Sequence, residues 1–326
     1  MRDAGEFDLI ERIRGRTGRR DDVLLGIGDD AALLQPPPGM QLAVATDTLN
    51  IGIHFPPETA AADIGWKALA VNLSDLAAMG AQPAWCSLSL ALPDPDPAWL
   101  DGFLDGYAAL AREHGVALVG GDTTRGPLSI CISVIGFVDA QRALRRDGAC
   151  AGDAIWVSGT LGDAAAALAL WQAGQALPAE LRRRLDRPQP RLALGRALAG
   201  IAHACIDVSD GLLADIGHLC TASGVGAVID IDALPASVAL QALAVAADTR
   251  RNWQAGGGDD YELCFTAPAA RGDEVIAAAS RAGTAVTRVG SVRADGGVHA
   301  QLAGAPWHAA RAGHVHFSDA TEPVRR

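Results

Sequence analysis

The amino-acid sequence predicts an α/β protein, built of α+β layers and folded as two domains. Apolar runs typical of strands alternate with longer amphipathic segments typical of helices along most of the chain. The length of 326 residues, with 49% hydrophobic residues, exceeds the usual size of a single core. A polar stretch at residues 139–153 separates two halves, so we expect domains at 1–140 and 150–317 and a polar tail at 318–326.

The first half contains the most clearly marked helix. Asp96 is a typical N-cap, Pro97 suits the first helical position, and Gly115 suits the end of the helix. Two further helices are expected over 7–14 and 59–79, and strands over 23–25, 42–46, 85–92, 116–119 and 129–138. On the second of these helices Asn72, Asp75 and Met79 share one face.

The second half repeats the alternation of strands and helices. Strands are expected over 155–158, 204–207, 228–231, 263–266 and 287–292. Helices are expected over 163–173, 211–222, 237–247 and 269–282, with another after Pro190.

Composition and charge narrow the possible partners. The chain has 38 acidic against 27 basic residues, a net charge of −11, which does not suit bare nucleic acid or an anionic membrane. Apolar runs are too short for a membrane span and the N-terminus does not resemble a signal peptide, so the cytoplasm is the expected location. The six cysteines show no Cys-x-x-Cys pair, so we expect them to be reduced.

Aspartates recur where apolar runs stop. Asp29 and Asp30 leave an apolar run in the glycine-rich stretch Gly26-Ile27-Gly28-Asp29-Asp30, and adjacent carboxylates repel each other unless a cation lies between them. Other aspartates beside small or hydroxyl residues are Asp47, Asp75, Asp122, Asp207 and Asp210. Carboxylate and hydroxyl oxygens are preferred ligands of magnesium and calcium, so the set predicts one shared site for hard cations. Each stretch taken alone also fits a turn or a helix cap.

Two nucleotide-binding motifs can be set aside. Gly26-x-Gly28-x-x-Ala31 fits a relaxed dinucleotide fingerprint, but the prolines at 36–38 interrupt the helix that such a motif must open. The only lysine, Lys67, does not stand in a Walker P-loop. A bound phosphate would therefore be held by arginine and metal.

Three further features allow two interpretations each. The glycine-rich acidic stretch at 256–262 fits a binding loop or a surface turn, and His54 could contact a ligand or bind local backbone. His314 and His316 could suggest a metal pair, but without a third ligand an extended segment is favoured.

Taken together, the motifs resemble those of the thiamine-monophosphate kinase family. The resemblance runs in order from residue 5 to about residue 317 and is carried by Gly5-Glu6-Phe7, Gly26–Asp30, Thr46-Asp47-Thr48-Leu49, His54-Phe55, Asn72–Gly80, Gly120–Thr124, Asp207–Gly211 and Asp260-Tyr261-Glu262-Leu263. That family belongs to a wider group similar to aminoimidazole ribonucleotide synthetase. The resemblance implies an N-terminal domain that dimerises through its sheet, hence a homodimer, and a C-terminal α/β domain.

The resemblance also implies roles for individual residues. Several magnesium ions would be held by Asp30, Thr46, Asp47, Asp75, Asp122, Asp207 and Asp210. ATP, the co-substrate, would be contacted by Gly121, Asp122, Arg146 and Ser209, and thiamine monophosphate by His54, Asp259 and His314. Asp30, Asp47, Asp75 and Asp122 would act in catalysis through metal, with no residue as general base. Ala45, Asp259 and His314 depart from the residues usual at these positions in the family.

The leading hypothesis is therefore magnesium-assisted phosphorylation of thiamine monophosphate by ATP. The alternative enzyme is another ATP-dependent relative, similar to an aminoimidazole ribonucleotide or selenophosphate synthetase. A calcium-binding module of a different class is disfavoured, because its ligands would be grouped in one loop.

Overall fold

The computed structural model of the protein describes residues 6–314. The start of the Gly5-Glu6-Phe7 motif, His316 and the expected tail at 318–326 lie outside these described residues. Across the described part no helix is both long and apolar enough to cross a bilayer. All six cysteines, which fall within it, are free thiols, as expected for a reduced protein.

The first half forms a small ribbon and a four-stranded sheet covered by helices. Its strands are β1 (Val23–Leu25), β2 (Leu33–Leu34), β3 (Gln41–Asn50), β4 (Gln82–Leu92), β5 (Ala117–Arg125) and β6 (Ser129–Val138), and its helices are α1 (Glu6–Gly15), α2 (Ala61–Ala78) and α3 (Pro97–His114). β1 pairs with β2, and the larger sheet has the order β3-β6-β4-β5, with only β4 and β5 parallel.

Helices α2 and α3 pack closely together. A Cβ atom at Gly65 would lie 2.0 Å from the Phe103 carbonyl oxygen, and one at Gly106 would lie 1.7 Å from that of Ala62. Glycine at both positions therefore permits the close crossing. The sequence-based limits of α3 are confirmed, because the Asp96 side chain accepts hydrogen bonds from two backbone amides of the first turn and Gly115 adopts the left-handed conformation.

The second half forms a seven-stranded sheet with the order β13-β12-β9-β11-β7-β10-β8. Its strands are β7 (Asp153–Ser158), β8 (Ala204–Val208), β9 (Gly226–Asp230), β10 (Glu262–Pro268), β11 (Val286–Arg293), β12 (Gly297–Leu302) and β13 (Ala305–Trp307). Its helices are α4 (Asp163–Gln172), α5 (Ala179–Asp186), α6 (Leu192–Leu198), α7 (Leu212–Ser223), α8 (Val238–Gln241), α9 (Ala247–Gly256) and α10 (Gly272–Arg281). The pairing is antiparallel except between β9 and β12.

Helix α2 joins the two halves. Its buried Leu69 and Leu73 share one hydrophobic core with Leu263 and Phe265 of the second sheet. The Trp66 indole also donates a hydrogen bond of 2.9 Å to the Pro188 carbonyl oxygen. A residue on α2 can therefore face groups from both halves.

Several sequence-based limits were wrong. The expected helix over 237–247 is reduced to the four residues of α8, and α9 begins only at Ala247, where that helix was expected to end. Leu240 of α8 shares a small core with Leu181 and Leu185 of the unpredicted helix α5. Strands β12 and β13 were also missed. Strand β3 continues past Asp47 and β5 continues past Asp122, so these aspartates lie within strands rather than at their ends.

Candidate active site

A cleft of about 480 Å³ opens where α2 meets the second sheet, and four of the expected metal ligands line it. Asp47 comes from β3, Asp75 from α2, Asp207 from β8, and Asp210 from the turn after β8. Residues more than 100 positions apart in the sequence thus meet in one space. The structure therefore brings together most of the carboxylates that the sequence analysis grouped.

Burial and mutual repulsion act on these carboxyl groups. The pKa of Asp75 is raised to about 8, first by desolvation and then by the charges of Asp207 and Asp47. Burial also raises the pKa of Asp207 and of Asp47. The nearby positive charge of Arg146 lowers the pKa of both Asp75 and Asp207 without cancelling the upward shift. The cleft therefore concentrates carboxylates that lack a full complement of positive charge.

Hydrogen bonds fix two of these acids. The Ser74 hydroxyl donates to Asp207 Oδ2 at 2.7 Å, and the Asp47 amide donates to Asn72 Oδ1 at 2.9 Å. The two α2 residues in these bonds, the donor Ser74 and the acceptor Asn72, are buried. Oxygen ligands held in place, with raised pKa values that signal missing positive charge, fit a hard divalent cation such as magnesium.

The turn after β8 is held by Asp215, a residue that the sequence analysis did not single out. One carboxylate oxygen, Asp215 Oδ2, accepts hydrogen bonds from the backbone amides of Ser209, Asp210 and Gly211 at 3.0–3.1 Å. Burial is the main reason that the pKa of Asp215 is raised to about 7. Its position in the first turn of α7 was the only available sequence signal.

The same cleft is lined by the residues expected to contact thiamine monophosphate. His54 lines the cleft, and its Nδ1 accepts a hydrogen bond of 2.9 Å from the Asn50 amide, so the neutral ring carries its proton on Nε2. Asp259 and the exposed His314 also line the cleft, and the His314 amide donates to the Asp210 carbonyl oxygen at 2.9 Å. The glycine-rich stretch at 256–262 thus contributes to the cleft rather than forming a remote turn.

Asp259 is held by two side chains. Its Oδ2 accepts a hydrogen bond from Lys67 Nζ at 3.0 Å, and its Oδ1 accepts one from the Tyr261 hydroxyl at 2.9 Å. The backbone of Asp259 has a positive φ of 68°, which is unusual for a residue other than glycine. Lys67 was considered in the sequence only as evidence against a P-loop, so its contact with Asp259 was not foreseen.

The remaining expected site residues, apart from Ser209, are not part of the cleft lining. Asp30 and Asp122 are exposed and do not line the cleft, and neither does Gly121 on β5. The Thr46 side chain lies on the outer face of the first sheet, where its Oγ1 is 2.7 Å from Ser133 Oγ. Ser209 lines the cleft.

Known protein families match both halves of the chain. Residues 28–138 match the AIR synthase related protein, N-terminal domain, and residues 151–303 match the AIR synthase related protein, C-terminal domain. The chain is 48% identical to the thiamine-monophosphate kinase of Salmonella typhimurium over 297 residues, which cover 89% of this chain and 91% of the relative. It is 49% identical to the thiamine-monophosphate kinase of Escherichia coli strain K12 with the same coverage.

Solved structures have the same two-part fold. The crystal structure of thiamine-monophosphate kinase from Stenotrophomonas maltophilia K279a is similar with a TM-score of 0.86 and 55% identity, covering 92% of this chain and 97% of that one. AaThiL complexed with AMPPCP and TMP is similar with a TM-score of 0.76 and 30% identity, covering 96% of this chain and 97% of that one. The likeness to the hydrogenase maturation protein HypE from E. coli, at 24% identity and a TM-score of 0.78, shows the fold alone.

Proposed function

The chain belongs to the thiamine-monophosphate kinase family, and we propose that it uses the cleft to transfer the γ-phosphoryl group of ATP to the phosphate of thiamine monophosphate. The products are thiamine diphosphate and ADP. The observation that carries this proposal is the meeting, in one cleft, of buried Asp207 and three half-buried aspartates with His54 and Asp259. The family relationship favours this reaction over that of an aminoimidazole ribonucleotide or selenophosphate synthetase.

Magnesium is the proposed metal, held by Asp47, Asp75, Asp207 and Asp210. These carboxylates would hold the ion, which would supply positive charge to offset the negative charge of the phosphates. The support is the convergence of the four carboxylates in one cleft, where burial and the charges of Asp207 and Asp47 raise the pKa of Asp75. Asp30, Thr46 and Asp122 stay predicted ligands that lie outside the cleft of the single chain.

Arg146 and Ser209 are the proposed contacts for the ATP phosphates, with Gly121 and Asp122 as further predicted contacts. Arg146 acts electrostatically on both Asp75 and Asp207, so its guanidinium lies within range of the carboxylates. A planar guanidinium can donate two parallel hydrogen bonds to a phosphate. Ser209 is presented by the turn whose amides Asp215 binds.

The acceptor phosphate attacks without a general base. One of its oxygens forms a bond to the γ-phosphorus, while the bond from that phosphorus to the bridging oxygen of ADP breaks. A phosphate monoester has a second pKa near 6, so it is mostly dianionic at neutral pH and needs no proton removed. His54, Asp259 and His314 are proposed to bind and orient the thiamine monophosphate.

We also propose a homodimer formed through the outer face of the first sheet. Leu42 and Val44 on β3 are 50% and 63% exposed there, and a large exposed apolar patch is typical of an interface. Light scattering of the wild type and of Val44→Glu measures the dimer directly. A monomeric wild type would exclude it.

Six free thiols also suit the reducing cytoplasm, which is the proposed location.

The function is tested by product analysis. Purified protein with ATP and magnesium should form ADP and thiamine diphosphate in equal amounts from thiamine monophosphate. Selenide and aminoimidazole precursors should give no ADP beyond the background. Asp75→Asn, purified in the same way, controls for contaminating kinases. ADP release that depends on one of the other substrates, and not on thiamine monophosphate, would contradict the proposal.

A further inference from the structure

A second group of possible metal ligands lies outside the cleft. Cys150, Asp153 and His203 each place one ligand atom within 4.8 Å of the others. His203 Nδ1 lies 2.9 Å from Asp153 Oδ2, and the same oxygen accepts a hydrogen bond of 3.0 Å from the Cys150 amide. The cluster combines one thiol sulfur, one imidazole nitrogen and one carboxylate oxygen, which are the three ligand types that zinc binds in proteins.

The backbone holds this cluster in place. Cys150 belongs to the connection between the two sheets, Asp153 is the first residue of β7, and His203 directly precedes β8. The Cys205 amide donates to the Arg145 carbonyl oxygen at 2.9 Å, and the His203 amide donates to the Thr266 carbonyl oxygen at 2.8 Å. The first bond ties the connection to β8, and the second ties the residue before β8 to β10, so backbone hydrogen bonds position the segments that carry the ligands.

Accessibility also favours binding. The Asp153 side chain is 4% exposed and the His203 side chain 39% exposed. The carboxylate therefore lies at the buried end of the cluster and the imidazole at its solvent-facing end. Cys150 is exposed too. An ion can therefore reach the sulfur and nitrogen from solvent. The exposed face leaves room for water as a fourth ligand.

We propose that Cys150, Asp153 and His203 form a binding site for a zinc ion. In tetrahedral coordination, with bonds of about 2.0–2.3 Å, neighbouring ligand atoms are about 3.3–3.7 Å apart. The present separations need only small side-chain adjustments to reach those values. On binding, zinc takes the place of the hydrogen between His203 Nδ1 and Asp153, the neutral imidazole carries its proton on Nε2 instead, and the Cys150 thiol loses its proton to solvent. The site is separate from the cleft, whose lining includes no cysteine among the described residues.

Cobalt(II) is the probe that distinguishes this site from the aspartate cleft. A cobalt ion bound to a thiolate gives a sulfur-to-metal charge-transfer band, whereas one bound only by carboxylates does not. The protein is kept reduced with a phosphine and supplied with excess magnesium. We expect the band to saturate at one cobalt per chain and to disappear when one equivalent of zinc is added.

Variants assign the ligands. Cys150→Ser should abolish the charge-transfer band, and His203→Gln should weaken zinc binding at least tenfold, about the loss seen when a supporting partner of a metal ligand is removed. Cys131→Ser, a half-buried cysteine on β6, and Asp75→Asn in the cleft should retain both the band and the stoichiometry. The absence of a band in the wild type, or a band and zinc affinity unchanged in Cys150→Ser or His203→Gln, would overturn the proposal.

Discussion

Lys67 Nζ lies 3.0 Å from Asp259 Oδ2 and 3.0 Å from the carbonyl oxygen of His54. This lysine is 2% exposed, and the two contacts help to compensate its buried charge. Helix α2 thereby holds together the two residues proposed to bind thiamine monophosphate, which come from opposite halves of the chain.

Lys67→Met should impair acceptor binding more than ATP binding. Without the ammonium group, the His54 loop and the Asp259 loop lose their common partner, and the remaining Asp259 carboxylate is left without its ion pair. We expect the KM for thiamine monophosphate to rise about tenfold or more, a loss of about 1.4 kcal/mol. Steady-state kinetics with each substrate varied in turn provide the measurement. Equal increases in the KM of both substrates would argue against a specific role at the acceptor end.

Asp75→Asn should abolish kinase activity and yet raise the melting temperature of the metal-free protein. Asp75 is close to the charges of Asp207 and Asp47, and removing its charge relieves that repulsion. The same variant should gain less stability from magnesium with an ATP analogue, because a ligand of the metal is lost. Melting curves in EDTA and in magnesium with the analogue compare the two states.

A structural aspartate serves as the control for Asp75. Asp163 accepts hydrogen bonds from the hydroxyls of Ser237 at 2.6 Å and Thr160 at 2.8 Å, so Asp163→Asn should lower the melting temperature with or without metal. If Asp75→Asn instead behaved like Asp163→Asn and kept normal activity, Asp75 would be a structural residue and not part of the metal site.

The stability of the metal-free protein should depend on pH through Asp75. Its folded pKa of about 8 lies above the usual 3.8 of the unfolded chain, so the folded state retains a proton that the unfolded state has lost. The contribution of Asp75 is fully present below about pH 4 and is lost as the pH rises toward 8, by at most about 1.4 kcal/mol per pH unit. Denaturant unfolding in EDTA at several pH values should show Asp75→Asn gaining on the wild type over this range. A constant difference between the two proteins would exclude the shift.

His54→Ala should weaken acceptor binding more than it slows saturated turnover. The acceptor phosphate needs no base, so His54 orients the substrate and does not take a proton from it. We expect KM for thiamine monophosphate to rise about tenfold while kcat falls by less. His299→Ala on β12 is the matched control and should change neither. A large fall in kcat with an unchanged KM would assign His54 a role in the chemical step.

Arg146→Lys should raise the KM for ATP about tenfold, because an ammonium group cannot reproduce the two-pronged contact of a guanidinium with phosphate. The adjacent residue provides a matched control. Arg145 is exposed and pairs with Asp147 at 2.6 Å, so Arg145→Lys should leave the KM for ATP unchanged. A wild-type KM in Arg146→Lys would remove Arg146 from the ATP site.

Local sequence signals determined the limits of individual elements and the grouping of the acids. Asp96 and Gly115 mark the ends of α3 because capping depends on residues next to the helix terminus. Asp47, Asp75, Asp207 and Asp210 all line the cleft, and their role as metal ligands stays a prediction. The expected helix over 237–247 was wrong beyond Gln241, because helix propensity is a weak local preference that tertiary context overrides.

Only the tertiary structure determined which distant residues meet. Lys67 and Asp259 are 192 positions apart, and no periodicity or motif in either segment indicates their ion pair. The same holds for Asp153 and His203, which are 50 positions apart. Asp153 begins β7 and His203 directly precedes β8. The sequence alone determined the family and the types of side chain available to bind a metal, because both depend on residue type and order. The partner of each charge depended on how α2 and the two sheets pack, since that packing sets which side chains share a buried space.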